Sequence, residues 1–532
     1  MSRRLGGPGH CVNGMLRPRG GTAPTRSTME LPTAEHVRVA IVGAGFAGLG
    51  ALIRLKQEGV PHVVLFERAD EVGGVWRENR YPGAACDVES HLYSLSFAPN
   101  PQWSRRFSPQ AEIGEYLRGL VDRFRLGPHL RMGHTVRRAT WDEAAAFWTV
   151  ETDRGTWTAD VLVAAPGALA EPKLPDLPGI ETFRGPAFHT ARWDEGVDVD
   201  GKRVAVVGTG ASAIQVVPAI QPRVGRLVLF QRTPPWVIPR GDRAIGGLVQ
   251  KAFGHAPLLR QAARLGLYAR HEVLGLAFRH LPIARAVERL ARLYLRQQVK
   301  DPDLRRVLTP DYTLGCKRIL LSDDYYPALT RPNVEVVDGG VAEVRPHGLV
   351  GSDGVEREAD VVVFATGFFV TEFPFGRLVY GRGGRSLADV WRGSPRAHLG
   401  TTVAGFPNLF LLMGPNTGLG HSSVLLMAEA QIEHLVAAVR YMATHGAAAV
   451  EPREEAQEAF VEEVEAGMEG TVWTAGGCRS WYLDETGANT SLWPGSVGGF
   501  RRRVAPFREG EYRVRPRRTH AAPVLAAPAH AG

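Results

Sequence analysis

Short apolar runs, glycine turns and helical periodicities alternate along most of this chain. Val37–Val42 is a β-rich run followed by Gly43-Ala-Gly45-Phe-Ala-Gly48, and a helical pattern continues to Glu58. A second run, Val60–Phe66, ends at Glu67. The same order recurs later. Val204–Val207 leads into Gly208-Thr209-Gly210-Ala-Ser212-Ala213 and a helical pattern, and Leu227–Phe230 then leads to Gln231, Arg232 and Thr233. In both copies the first glycine and the residue past the second strand are 24 positions apart, 43 to 67 and 208 to 232. Two strand–turn–helix–strand units with matched spacing argue for an internal duplication rather than chance. Ala159-Asp-Val-Leu-Val-Ala-Ala-Pro-Gly167 also recurs as Ala359-Asp-Val-Val-Val-Phe-Ala-Thr-Gly367, 200 positions on. Both segments read as a buried strand ending in a glycine turn.

These elements predict an α/β fold with two Rossmann-like dinucleotide-binding domains, the second inserted within the first. Residues 35–165 and 330–505 are assigned to one domain and 166–329 to the other. Within the second, residues 244–300 follow a helical period, with Leu248, Leu258, Leu259, Leu265, Leu267, Leu274, Leu276, Leu290 and Leu293 on it and arginines largely between them. This predicts a helical insertion with a basic face, either solvated or laid against a membrane surface. Residues 1–34 show no apolar periodicity and predict a disordered extension, with Met29 opening the first sequence fit to fold. The Ala/Pro/His-rich end, 516–532, predicts a loose tail.

Composition narrows the classes. The chain has 532 residues, 44% apolar and 22% charged, enough to bury a large core. No apolar run approaches the length of a membrane-spanning helix. The net charge is +8, but residues 241–300 alone carry eleven Lys/Arg against three Asp/Glu. That imbalance speaks against a uniform nucleic-acid-binding surface. Cys11, Cys86, Cys316 and Cys478 are far apart and form no CxxC pair, metal-ligand cluster or disulfide framework. This predicts no metal and a reducing, cytoplasmic setting.

The glycines of the first unit let backbone N–H groups approach a pyrophosphate at a helix N-terminus. Glu67 can then accept hydrogen bonds from ribose hydroxyls, as FAD requires. At the equivalent place the second unit has Arg232. Arg binds a 2′-phosphate through paired N–H groups, so this unit is expected to take NADP(H). Two different dinucleotides on one chain imply electron transfer between them.

Phe183-Arg-Gly185-Pro-Ala-Phe-His189-Thr-Ala-Arg-Trp193-Asp194 matches the FxGxxxHxxxW(P/D) signature of type I Baeyer–Villiger monooxygenases. Gly73-Gly74-Val-Trp76, Arg80-Tyr-Pro-Gly-Ala-Ala-Cys-Asp87-Val-Glu-Ser90, Phe230-Gln-Arg232-Thr233-Pro, Lys317-Arg318 with Asp324-Tyr-Tyr326, Ala365-Thr-Gly367-Phe368 and Gly414-Pro-Asn416-Thr are similar to the same family, in its order. The resemblance implies NADPH reduction of FAD, capture of O2 as a C4a-peroxyflavin, and attack on a ketone to give an ester or lactone. It implies that Arg318 is the essential arginine, that Asp87 stands beside it, and that Lys317 joins Arg232 at the 2′-phosphate. Gly74, Trp76 and Tyr93 should lie near FAD, and Trp481 near the cofactors. His189 and Trp193 should form a linker that responds to cofactor binding. His421 and Ser422 open a helical pattern whose N–H groups would face the flavin. The alternative is a flavin-containing monooxygenase oxidising nitrogen or sulfur, which carries Tyr or Phe where this chain has Trp193. A pyridine nucleotide–disulfide reductase would need a redox cysteine pair.

Overall fold

Strand β1, Glu35–Val42, is the axis of the first sheet. Its residues serve two cores: Val39 and Ile41 join one, and Val37, Ala40 and Val42 join the other. That is why the run reads as continuously apolar, since a parallel strand is covered on both sides. The computed structural model describes residues 34–478 and 480–517. Around β1 lie β2 (Val63–Phe66), β3 (Leu130–Arg131), β4 (Val136–Asp142), β5 (Phe147–Thr152) and β6 (Gly155–Ala164). The order is Val379–Tyr380, β4, β5, β6, β1, β2, β3, with Leu409–Leu411 also paired to β6. β1 runs parallel to β2 and β6, while β4, β5 and β6 form antiparallel hairpins. Helix α1, Phe46–Gln57, follows β1 and buries Leu49, Leu52, Ile53 and Leu55. Helices α2, Val75–Glu78, and α3, Gln110–Arg123, lie between β2 and β3 in sequence.

The second sheet is wholly parallel. Its order is Val334–Asp338, β9 (Arg226–Gln231), β8 (Arg203–Val207), Val361–Phe364 and β7 (Ala187–His189). Helix α4, Ala213–Ile220, follows β8 as α1 follows β1. The helical insertion is α5 (Gly247–His255), α6 (Pro257–Arg279) and α7 (Leu281–Gln298), with α6 packed on α7.

Three expectations change. Residues 330–505 do not belong wholly to the first domain, because Val334–Asp338 and Val361–Phe364 complete the second sheet. The repeated Ala-Asp-Val segment closes its own unit: Val361 pairs with Val204, and Asp360 takes the Arg203 guanidinium and backbone N–H. The chain returns to the first sheet only at Val379. Order also extends past 505 and into the expected tail, since Tyr512–Pro516 pairs antiparallel with Ala447–Pro452. The expected extension, except Ala34, and residues 518–532 lie outside the described residues. Finally, Cys316 and Cys478, 162 positions apart, are joined by a disulfide. Spacing gave no hint of it because the partners come from different parts of the fold. It removes the cysteine argument for a reducing compartment.

Candidate active site

On the flavin side the turn after β1 is closed by backbone. Gly43 has φ +104°, and a Cβ there would lie 2.4 Å from the Ala165 carbonyl oxygen. A Cβ on Gly48 would lie 1.9 Å from the Gly43 carbonyl oxygen. Neither position admits a side chain. Gly45 caps α1 without a side-chain hydrogen bond, and the first turn holds no acidic residue. The open N–H groups therefore present partial positive charge to an anion. Glu67, at the end of β2, is buried. It accepts hydrogen bonds from the Ala44 and Ala69 amides at 2.8 and 3.1 Å and from Arg77 at 3.3 Å. Gly74 closes the mouth, since a Cβ on it would lie 3.0 Å from the Gly45 Cα. Trp76 donates through Nε1 to the Tyr93 hydroxyl at 3.1 Å, with the rings edge to face.

The second unit repeats the design. A Cβ on Gly208 would lie 2.5 Å from the Ala365 carbonyl oxygen, the partner of Ala165 in the repeat. Gly210 has open space where a Cβ would stand. Ser212 caps α4, and Thr209 donates to the Thr233 carbonyl at 2.8 Å, tying the turn to the end of β9. Arg232 is exposed and makes no ion pair among the described residues. Burial, and then the Arg232 charge, lower the Lys317 ammonium below its ordinary value. Two cations thus converge where a 2′-phosphate would neutralise both.

Between the units stands an ion pair. Arg318 donates through Nε and Nη2 to Asp87 Oδ2 at 2.9 and 2.7 Å, and through Nη1 to the Leu419 carbonyl at 3.4 Å. The Asp87 charge raises the guanidinium above its ordinary value, against the pull of burial. The loop carrying Asp87 is held from the other unit. Gln215 on α4 accepts from the Tyr81 hydroxyl at 3.0 Å and donates to the Ala85 carbonyl at 3.0 Å. A Cβ on Gly83 would lie 2.6 Å from the Gln215 carbonyl oxygen. Cys316, Lys317 and Arg318 are consecutive, yet Cys316 forms the disulfide, Lys317 lies on the Arg232 side and Arg318 binds Asp87. The disulfide ties down the segment before Trp481 and Tyr482. Trp481 is 47% exposed, whereas Tyr482 is buried and its hydroxyl lacks a hydrogen-bond partner in the described structure. Burial pushes that phenol up to about 12, with the Arg318 and Asp87 charges acting on it.

Part of the expected linker is a strand: Ala187–His189 is the edge β7. His189 is buried, accepts from the Ala191 amide at 3.1 Å and meets Phe368 edge to face. Burial lowers its imidazole to about 4, so it is neutral near pH 7. Trp193 packs edge-on against Phe188, and Arg192 forms an ion pair with Glu78 of α2. His421 and Ser422 precede the helix Val424–Thr444, which has no acidic residue in its first turn. The Ser422 and Ser423 hydroxyls are buried without partners.

Glu89 lies within the family-like run Arg80–Ser90, but the residues it meets gave no sequence signal. Glu89 is buried among Arg106, Arg270 and His271. His271 donates through Nδ1 to the His421 carbonyl at 2.5 Å, and its Nε2 sits 2.7 Å from Glu89. Helix α6 thereby reaches the end of the helix that starts at Val424. Gln215 and Tyr482 were equally invisible. None of these contacts is local in the chain, so no spacing rule could have found them.

The donor set fits a flavin dinucleotide at the first turn, where the cradle excludes any Cβ and the α1 N–H groups are open. It fits a 2′-phosphorylated nicotinamide dinucleotide at the second, where two cations meet. Comparison with known proteins agrees. Residues 36–247 match the flavin-binding monooxygenase-like family. A Baeyer–Villiger monooxygenase of Streptomyces coelicolor is 52% identical over 90% of this chain and 93% of its own length. Another from Pseudomonas aeruginosa is 45% identical over 92% of this chain and 93% of its own. The NADP+-bound cyclohexanone monooxygenase of Rhodococcus sp. Phi1 superposes with a TM-score of 0.80 at 31% identity, over 91% of this chain and 100% of that one. Paired nucleotide turns, a charged pair between them and identity along nearly the whole length lead to one conclusion: this chain belongs to the Baeyer–Villiger monooxygenase family.

Proposed function

We propose that the protein uses FAD and NADPH to insert one atom of O2 beside the carbonyl of an apolar ketone, giving an ester or lactone. FAD, reduced by NADPH, supplies the activation of oxygen. The chain's own residues do the rest. Gly43, Gly45, Gly48 and the α1 N-terminus hold the flavin pyrophosphate, and Glu67 the ribose. Gly74, Trp76 and Tyr93 would wall the flavin, and the N–H groups at the start of the Ser422 helix would face it. Gly208, Thr209, Gly210, Ser212 and Thr233 shape the second turn, while Arg232 and Lys317 take the 2′-phosphate. His189 and Trp193 couple the two units, with the Arg192–Glu78 pair as the link to α2. Need for NADPH fits a cytoplasmic site of action.

The observation that carries this reading is the Asp87–Arg318 pair between the two nucleotide turns. The attacking oxygen would bring negative charge, which passes to the ketone oxygen as the two join. A guanidinium fixed beforehand stabilises that charge without reorganisation. Asp87 occupies Nε and Nη2 through one oxygen, which orients the fork; Nη1 gives one N–H to the Leu419 carbonyl and keeps the other for the reacting atoms. Oxidation of a soft sulfur nucleophile makes less use of such a charge, so the pair favours the ketone reading. The test is NADPH consumption by the FAD-loaded protein against cyclic, aryl and long-chain ketones and a matched sulfide panel, with products identified. Ester or lactone in step with NADPH supports the reading. Sulfoxide from the sulfides with no ester from any ketone would overturn it.

A further inference from the structure

The helical insertion presents a surface that neither nucleotide site uses. Of the fifteen large apolar side chains exposed among the described residues, eleven lie between Leu248 and Leu293. On α6, Leu258, Ala262, Leu265, Ala269, Val273 and Leu276 are all exposed and spaced three or four apart. They therefore form one line along the helix. Leu258 is 79% exposed, Leu265 64% and Val273 66%. On α7, Ile283, Ala286, Leu290 and Leu293 repeat the pattern. Such a stripe normally faces a core; here it faces outward on two adjoining helices.

Charge decides what covers it. Residues 241–300 carry eleven Lys/Arg against three Asp/Glu. Arg285, Arg289 and Arg296 flank the α7 stripe and are exposed. Of the α7 arginines only Arg292 is in an ion pair among the described residues, with Glu288. A second copy of the chain would bring the same excess of positive charge against this one. An anionic lipid surface offers both complements at once, acyl chains for the leucines and phosphates for the guanidinium forks. No described helix is long and apolar enough to cross a membrane, so the mode open to this face is to lie on one.

We propose that the α5–α7 face docks on an anionic phospholipid bilayer, with α6 and α7 in the headgroup plane. Helix α6 also carries His271, which bonds the His421 carbonyl, so the docking face and one wall of the candidate site share a helix.

The test uses the full chain loaded with FAD and vesicles of phosphatidylcholine, alone or in equimolar mixture with phosphatidylglycerol. Co-sedimentation should favour the mixed vesicles by about tenfold or more and should fall as salt is raised, since basic residues near the surface supply the attraction. Leu265→Ser with Leu290→Ser should lower binding to mixed vesicles by about tenfold, as should Arg285→Glu with Arg289→Glu. Both variants should oxidise NADPH with a water-soluble ketone at the unaltered rate, which reports intact folding. Equal binding to both vesicle types overturns the proposal. So does unaltered binding of either folded variant, which would place the contact elsewhere on the chain. A dimer in solution that Leu265→Ser with Leu290→Ser splits would also overturn it, by showing that a second copy covers the face.

Discussion

Replacing Arg232 and Lys317 by alanine should abolish the preference for NADPH over NADH. The two side chains differ in setting. Arg232 is exposed, so its contact with a phosphate is screened by solvent; Lys317 is half-buried on the face of the Tyr312 ring. A hydrogen bond to a charged group contributes a net 1.5–3 kcal/mol or so, with the exposed arginine at or below the low end. The pair should therefore supply about 2–4 kcal/mol of discrimination, or roughly 30- to 1000-fold in kcat/KM. The assay is kcat/KM for both cofactors with wild type, each single variant and the double variant. NADPH efficiency should collapse while NADH efficiency barely moves. Flavin content should be unaffected, because Gly43–Gly48 and Glu67 lie in the other unit. The pH profile adds a second readout. The Lys317 ammonium is lowered, so it loses its proton at a lower pH than an ordinary lysine. The KM for NADPH should thus begin to rise at a less alkaline pH than a free lysine would give. Arg232→Ala removes the neighbouring charge and should move that onset upward. Equal use of NADH and NADPH by the unaltered protein would refute the reasoning, as would a double variant that keeps its preference.

Gly48→Ala should yield protein that loses FAD on gel filtration, because the new methyl would stand 1.9 Å from the Gly43 carbonyl oxygen; wild-type flavin retention would contradict the cradle. Trp193→Ala should retain FAD but divert NADPH oxidation to hydrogen peroxide, and unchanged coupling measured by peroxide assay would remove the linker role. Stability should fall on acidification. Burial lowers His91, His189 and His434 from the ordinary 6.5 to about 4. Between those values the unfolded chain binds protons that the folded one refuses, so stability rises with pH by up to about 1.4 kcal/mol per unit for each group. Thermal melts should show a lower Tm at pH 5 than at pH 7.5; a flat or inverted profile would contradict the buried neutral imidazoles.

The nucleotide turns were legible because everything they need is local. A buried parallel strand reads as an apolar run, and a turn that admits no Cβ reads as glycine. The repeat read as two equivalent strand ends, and the structure adds that Ala165 and Ala365 each press a carbonyl on a turn glycine. The domain boundary was misplaced because the strand Val334–Asp338 has no turn signature of its own, and only pairing with β9 reveals its sheet. The Cys316–Cys478 bond, the Gln215 clamp on the Asp87 loop and the His271 bridge to His421 join distant segments. Such contacts are set by how the two units and the insertion pack, and no residue type or interval encodes them. Trp481 was singled out by motif, while its neighbour Tyr482 holds the buried hydroxyl near Arg318.

Product formation by Arg318→Ala tests the ketone reading most directly, because the charge on that side chain separates ketone oxygenation from oxidation of a soft nucleophile. The substitution leaves both nucleotide turns intact, so FAD should remain bound. Anaerobic flavin reduction by NADPH, followed as loss of the yellow absorbance, should slow but persist. Asp87 loses its partner in this variant, and Arg318→Lys should not restore ester formation, since lysine lacks the planar fork. Loss of a preorganised charge of this type costs about 10²–10³ in rate. Ester should fall below detection, with sulfide oxidation less affected; ester at more than about a tenth of the wild-type rate would show that Arg318 is not the stabilising charge.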